Sequence, residues 1–98
     1  GMAAHLAGAV AAHSTRPVIG IPIESGGMGG IDSLLSTAMM PPGVPVATVA
    51  VGKSGAKNSA ILAVQILATS NEDLSQKLHD YKNNMREEVL KKDKALNS

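Results

Sequence analysis

The chain has 98 residues, of which 44% are hydrophobic, so it can bury a core and is not a disordered tail. Nine basic residues stand against eight acidic ones, and one tyrosine is the sole aromatic residue. Neither the charge nor the aromatic content favours binding to nucleic acid or to an anionic membrane. The lack of cysteine excludes disulfide scaffolds, thiolate metal sites and cysteine nucleophiles, and no apolar run reaches the roughly 18 residues of a membrane span.

The first segment, Ala3–Ala12, is apolar and rich in alanine, which predicts a helix that ends before Ser14-Thr15-Arg16-Pro17. It has some likeness to a signal peptide, but it lacks a basic start, and His5 and Gly8 interrupt it. We therefore expect a buried helix and a cytoplasmic protein.

Two continuous β-branched runs, Val18–Ile23 and Val46–Val51, are typical of strands buried on both faces of a parallel sheet. A short helix predicted at Asp32–Met40 would join them as a right-handed crossover, with Pro41-Pro42-Gly43 ending it. After a turn at 52–55, the segment Asn58–Thr69 predicts a helix that is apolar on nearly every side and packs on the sheet.

Two parallel strands cannot form a domain with both faces covered. The pattern therefore predicts a three-layer α/β sandwich of which residues 1–70 are the C-terminal part, with the remaining strands upstream or on another chain. The loop Gly26–Gly30 follows the first strand, where parallel sheets carry binding loops, so it is a candidate lid. Gly52-Lys53-Ser54 is not a phosphate-binding P-loop, because Ala47 stands where that motif needs its first glycine.

Residues 71–98 hold twelve of the seventeen charged residues and predict a solvated helix capped by Ser70 or Asn71. One face of this helix carries an apolar stripe, which we expect to dock on a neighbouring subunit: Leu74, Leu78, Tyr81, Met85 and Val89.

The three histidines do not have metal-ligand spacing. His79 lies in the charged helix, where solvent exposure is expected, and His13 lies at a helix end, where a cation is mildly favoured. His5 lies in an apolar segment, and the residues alone leave open both a structural role and a role in proton exchange near pH 7.

The ordered set of segments resembles the bacterial phosphoribosylaminoimidazole carboxylase catalytic subunits, a family also called 5-(carboxyamino)imidazole ribonucleotide mutases. The resemblance spans essentially residues 1–90 and rests on Ala3-Ala4-His5-Leu6-Ala7-Gly8, the strand from Pro17, Ile31-Asp32-Ser33-Leu34-Leu35-Ser36, the stretch from Met40 to Gly52 and the helix from Ala56 to Leu67. The chain departs from the family at Ala7, where proline is usual, and at Thr37-Ala38-Met39, where Ile-Val-Gln is more familiar. It also lacks the family's upstream Gly-Ser-x-Ser-Asp and Ser-Ala-His-Arg-Thr segments, which hold the phosphate and ribose and supply the principal catalytic histidine.

The resemblance implies a flavodoxin-like fold and a carboxyl shift on an aminoimidazole ribonucleotide in purine biosynthesis, without a metal or an organic cofactor. It implies a catalytic role for His5 and a set of substrate-binding residues: Gly1, Ala4, Leu6, Met40 and Pro41. It also implies a homo-octamer whose sites lie between subunits. Two alternatives are a direct carboxylase (a lyase) and a non-catalytic fragment of the same fold that binds ligand or forms oligomers.

Overall fold

The computed structural model describes residues 2–24 and 30–97, with side chains from Leu6 onward. Four helices and two strands follow one another in the order α1 (Met2–His13), β1 (Ile19–Gly20), α2 (Ile31–Ala38), β2 (Ala47–Thr48), α3 (Gly52–Ala68) and α4 (Glu72–Asn97). The fold is thus mixed α/β. The chain forms two compact units, Gly1–Ala63 and Val64–Ser98.

The two strands pair in parallel, with Ile19 opposite Ala47 and Gly20 opposite Thr48. This confirms the predicted orientation. The regular ladder is shorter than the apolar runs predicted, because Pro22 has no N–H to donate to β2 and the next bond, from Gly52 N–H to the Pro22 carbonyl (2.8 Å), comes after the strand has ended.

Gly20 of β1 and Ile21, the residue after it, contact helices on opposite faces of the sheet. A Cβ at Gly20 would lie 3.4 Å from the Ala7 side chain of α1 and 2.6 Å from Thr37 Cγ2 of α2. The side chain of Ile21 instead lies 3.5 Å from the Cβ position of Gly55 in α3. Because successive residues of a strand point to opposite faces, α1 and α2 pack on one face and the start of α3 packs on the other.

The core of the first unit is small. Among the described residues, the buried apolar side chains are those of Val46 and Pro22. The buried polar residues are Thr37 and Ser59. Thr37 satisfies its hydroxyl by donating to the Ser33 carbonyl (2.8 Å). Many apolar side chains stay exposed, which limits how much of the hydrophobic effect this unit gains by itself.

The helix α3 begins at Gly52, so the predicted turn at 52–55 is wrong. Three residues separate the helix from the end of β2, and two glycines permit its first turn to form there. Gly52 has φ 67°, a value that L side chains rarely adopt. A Cβ at Gly55 would collide with the Ala50 carbonyl oxygen, so the missing side chain lets the first turn lie against the end of the strand.

In the second unit, three turn residues separate α3 from α4. The side chain of Asn71 accepts a hydrogen bond from the Leu74 N–H (3.1 Å), which confirms Asn71 as the N-cap. Glu72 and Asp73 follow in the first turn, where acidic groups favour the helix dipole. None of the described helices is long and apolar enough to cross a membrane.

Candidate active site

The carboxyl ends of β1 and β2 meet the first residues of α2 and α3. Ser33 Oγ donates a hydrogen bond to the Ile23 carbonyl (2.7 Å), which ties α2 to the chain that leaves β1. Gly30 precedes α2 with φ 82°, and its Cβ position lies only 2.7 Å from Val51 Cγ1. The short contacts and the positive φ make glycine the residue that fits here. The chain before α2 and the chain before α3 therefore approach each other closely at this edge. In open parallel sheets, ligands bind at this end of the strands.

Backbone strain is concentrated at the same edge. Ala50 has φ 93°, a left-handed value that is unusual for a residue with a Cβ. It lies two residues after the end of β2. Such a conformation costs about 1–2 kcal/mol and persists where surrounding structure over-determines it. Here the bond from Gly52 to Pro22 and the packing of Gly55 on the Ala50 carbonyl hold it in place.

An open groove of about 690 Å³ runs between α1 and β1. The described residues that line it are apolar: Leu6, Ala7, Val10, Val18, Ile19, Gly20, Ile21 and Ile23. Leu6 is 74% exposed and Ile23 61% exposed. Among the described residues that line it, the groove offers no charged group to a phosphate or a carboxylate, so its chemistry suits an apolar surface better than a ribonucleotide.

Two of the predicted site residues, Leu6 and Met40, lie on different sides of α1. Leu6 lines the groove, whereas the half-buried Met40 packs on the other side of α1, with its Cε 3.3 Å from the Cβ position of Gly8. Pro41 is exposed, and its carbonyl accepts a hydrogen bond from the Val44 N–H (3.1 Å).

Several predicted features lie outside the described residues. Gly1 is among these, as are residues 26–29 of the candidate lid. The backbone of Ala4 and His5 lies in the first turns of α1, but their side chains are outside the description. The catalytic assignment of His5 therefore stays a prediction.

The other two histidines are exposed, which confirms the prediction made for His79. His13 ends α1 and His79 lies on α4. Within the part of the chain that the structure describes, no three histidine or acidic residues come together as a metal site would require.

A second, smaller cavity of about 210 Å³ lies at the start of the two strands. Arg16 lines it, and the Arg16 N–H donates a hydrogen bond to Ser14 Oγ (3.1 Å). Arg16 carries no functional signal in the sequence, where it is a single cation in a turn. One exposed guanidinium at the amino ends of the strands does not make a binding site.

Comparison with known proteins shows which family the chain matches. Residues 1–88 match the family described as AIR carboxylase. The chain is 50% identical over 90 residues to the N5-carboxyaminoimidazole ribonucleotide mutase of Escherichia coli (strain K12), a match that covers 92% of this chain and 53% of that protein. It is 50% identical over 96 residues to the mutase of Bacillus subtilis (strain 168), covering 98% of the chain and 59% of the relative.

An archaeal relative is equally similar. The mutase of Saccharolobus solfataricus is 52% identical over 90 residues, with 92% of this chain and 56% of that protein covered. The chain thus spans little more than half the length of the curated relatives it matches. The family match covers nearly the whole chain, and the chain belongs to the AIR carboxylase family.

Proposed function

We propose that this chain forms the C-terminal part of a 5-(carboxyamino)imidazole ribonucleotide mutase, an isomerase of purine biosynthesis. The proposal rests on sequence identity. The chain is 50% identical to two curated mutases over more than nine-tenths of its length. The proposal concerns the assembled enzyme, because the relatives are nearly twice as long as the region matched.

The reaction moves one carboxyl group within a substrate molecule. The bond between the exocyclic nitrogen and the carboxyl carbon breaks, and that nitrogen gains a proton. A new bond then forms between the carboxyl carbon and ring carbon 4, which loses its proton. If carbon dioxide is released between these steps, the site must exclude water and hold both fragments in register. Neither step requires a metal or an organic cofactor.

His5 is the proposed catalytic residue, orienting the carboxylate or moving a proton. Its position in α1 supports this role. His5 precedes Gly8 by three residues, so the two positions share one side of the helix. Met40 packs on α1 at Gly8, which supports a site wall formed by Met40 and Pro41 beside the turn that carries His5.

The proposed substrate contacts come mainly from the start of α1. Gly1 and Ala4 have little or no side chain, so a ligand can approach the backbone closely there. Leu6 adds apolar surface next to them. Gly26–Gly30 is the proposed lid, and the hydrogen bond from Ser33 to the Ile23 carbonyl ties together the described residues on either side of it.

A carboxyl-transfer assay tests the proposal directly. The chain would be fused behind the part of the Escherichia coli relative that lies outside the 90 matched residues, and conversion of the carboxyl-labelled ribonucleotide followed by NMR. We expect turnover, and we expect His5→Asn to lower it by more than about tenfold, the usual scale of a lost proton-transfer group. A folded fusion without turnover would refute the mutase proposal.

The matched controls are His13→Asn and His79→Asn, since both side chains are exposed and on the described surface. Neither substitution is expected to change the rate. An unchanged rate in His5→Asn, with turnover in the parent fusion, would return His5 to a structural role while leaving the mutase proposal in place.

A direct aminoimidazole ribonucleotide carboxylase, a lyase, is the second candidate. The description of the matched family, AIR carboxylase, favours it, whereas the names of the relatives favour the mutase. Supplying unlabelled bicarbonate in the same NMR assay distinguishes the two reactions, because a direct carboxylase would incorporate the unlabelled carbon. A non-catalytic fragment would show neither reaction.

The proposed architecture is a flavodoxin-like three-layer sandwich formed by residues 1–70 together with further strands. The contacts of Gly20 with α1 and α2, and of Ile21 with α3, support helices on both faces of the sheet. Residues 71–98 would then serve subunit contacts. On α4 the stripe is half-buried at Leu74, Leu78 and Tyr81, but Met85 is 48% and Val89 65% exposed.

The exposed end of that stripe supports docking on a neighbouring subunit. The resemblance to the mutases implies that the assembly is a homo-octamer, a closed assembly of the kind common among homo-oligomers. Exposed Ile66 and Leu67 on α3 add apolar surface to the same unit. The net charge of +1 and the single aromatic residue do not favour nucleic acid or membrane as a partner. We therefore propose that the partners of the enzyme are its substrate and its own copies. The proposed compartment is the cytoplasm.

A further inference from the structure

The connection between β2 and α3 holds two residues in the left-handed region of backbone conformation. Gly52 has φ 67° and Ala50 has φ 93°. A glycine adopts such a value readily, whereas the Cβ of an alanine is strained there. Ala50 is also exposed, so burial of its own methyl group does not offset the strain. The conformation of Ala50 therefore serves its neighbours in the chain rather than its own packing.

Val51, which lies between these two residues, packs on the start of α2. Its Cγ1 atom lies 2.7 Å from the Cβ position of Gly30, the N-cap residue of that helix. The backbone angles of Ala50 set the direction in which the chain carries Val51. An Ala50 relaxed to a negative φ would swing the Val51 side chain away from Gly30. The strained conformation thus holds Val51 against α2.

The start of α2 depends on this contact because no side chain caps the helix. Gly30 has φ 82° and supplies no side-chain hydrogen bond. A helix of eight residues is too short to be stable by itself. Its first turn is held by Val51 on Gly30 and by the hydrogen bond from Ser33 Oγ to the Ile23 carbonyl (2.7 Å). Loss of the first contact would leave the first turn of α2 on a single hydrogen bond.

The helix α2 in turn packs on α1, which carries the proposed catalytic residue His5. The first turn of α2 lies at the carboxyl ends of the strands, where open parallel sheets bind ligands. Because protein interiors are close-packed, a shift at the start of α2 is transmitted to the helix beside it. A misplacement of about 1 Å, caused far from the chemistry, can lower a rate by roughly 100-fold. The position of Val51 can therefore affect the rate without any contact to the substrate.

We propose that Ala50 is a positioning residue for the carboxyl shift. Its left-handed conformation fixes Val51 on Gly30, and this contact fixes the start of α2 and the position of α1 beside it. Ala50 acts through Val51 and does not touch the substrate. Backbone strain of this kind persists where function requires one geometry. The inference rests on the proposed mutase function.

Ala50→Gly separates positioning from a structural role. A glycine at this position is unstrained and has a wider choice of φ, so the protein becomes more stable while Val51 is held less firmly. In the fused enzyme of the carboxyl-transfer assay, we expect kcat to fall by about tenfold and KM to change by less than about twofold. A purely structural role for Ala50 predicts a more stable enzyme with the same kcat, and that result would overturn the inference.

A conservative variant and a matched pair test the route through Val51. Ala50→Asn should keep most of kcat, because asparagine adopts the left-handed region more readily than other residues that carry a Cβ. Val51→Ala removes the methyl groups that meet Gly30, and Val49→Ala is its control at a position that is also half-buried. Both valine substitutions should lower the stability, but only Val51→Ala should lower kcat. Equal kcat values in the two would contradict the route.

Amide exchange in the fused enzyme gives a readout that does not depend on turnover. The Leu34 N–H donates to the Gly30 carbonyl (2.9 Å) at the start of α2, and the Ser75 N–H donates to the Asn71 carbonyl (3.1 Å) at the start of α4. In Ala50→Gly we expect exchange at Leu34 to be faster by at least about fivefold, with Ser75 unchanged. Faster exchange at both positions, or at neither, would overturn the inference.

The parent fused enzyme distinguishes the two proposals. A folded parent without turnover would refute the mutase function and this inference together. Turnover in the parent, with an unchanged kcat in Ala50→Gly, would overturn the role of Ala50 and leave the mutase function in place.

Discussion

Gly20→Ala is expected to destabilise the first unit strongly, because the sheet and two helices meet at this residue. The added Cβ would lie 2.6 Å from Thr37 Cγ2 and 2.9 Å from Val46 Cγ1. Both neighbours are buried, at 4% and 9% exposure. The hydrogen bond from Thr37 Oγ1 to the Ser33 carbonyl holds the Thr37 side chain in its rotamer, so it cannot turn away without losing that bond.

Overpacking of this kind costs about 1–3 kcal/mol in a close-packed core. In a domain of 60–100 residues, each kcal/mol lowers the melting temperature by roughly 4–8 °C. Thermal unfolding followed by far-ultraviolet circular dichroism, with urea titration for the free energy, measures the loss. The same substitution at Gly8 is the control: its Cβ would meet the flexible end of Met40 at 3.3 Å, and replacing a helical glycine by alanine gains about 1 kcal/mol.

Rescue by a second substitution separates overpacking from other causes. Thr37→Ser removes the Cγ2 methyl group but keeps the hydroxyl that donates to Ser33. In the Gly20→Ala background it should recover part of the lost free energy of unfolding, with the Val46 contact accounting for the remainder. A Gly20→Ala protein as stable as the parent, or a double variant without recovery, would refute the packing of α2 on β1.

Two further predictions concern backbone strain and the last helix. Ala50→Gly should raise the free energy of unfolding by up to about 1 kcal/mol in a urea titration, because φ 93° costs an alanine more than the extra chain entropy costs a glycine. The control is Ala56→Gly at an exposed position of α3, which should lower the free energy of unfolding by about as much. A lower free energy of unfolding in Ala50→Gly would contradict the strained geometry. Ending the fused protein at Ser70 should lower the mass measured by light scattering from an octamer to a smaller species, because the exposed Met85 and Val89 are then missing; an unchanged mass would mean that the stripe packs within its own subunit.

The sequence predicted the elements whose signals are local. The continuous β-branched runs marked both strands and their parallel pairing, and Asn71 before two acidic residues marked the start of α4. The boundaries were less accurate where a contact distant in sequence determined them. The start of α3 at Gly52 depends on how closely Gly55 approaches the Ala50 carbonyl, and a turn of Gly-Lys-Ser-Gly carries no local sign of that contact.

The candidate site divides in the same way. The order of motifs around His5 and Met40 was readable from the sequence, because it survives as a pattern of residue types. That Met40 packs on α1 at Gly8 while Leu6 faces an apolar groove depends on how the helix lies on the sheet. Helix rotation is set by packing partners, which periodicity cannot supply when a helix has alanine on most of its sides.

By itself, the sequence of this protein determined the class of fold, the parallel pair of strands, the cap of α4 and the family, since each is written in propensities or residue order. The tertiary structure alone decided that Gly20 and Ile21 contact helices on opposite faces, that Ala50 is strained, and that an apolar groove lies between α1 and β1. The physical reason is that these features arise from contacts between segments distant along the chain, where close packing and hydrogen-bond direction select one arrangement among many that the local pattern permits.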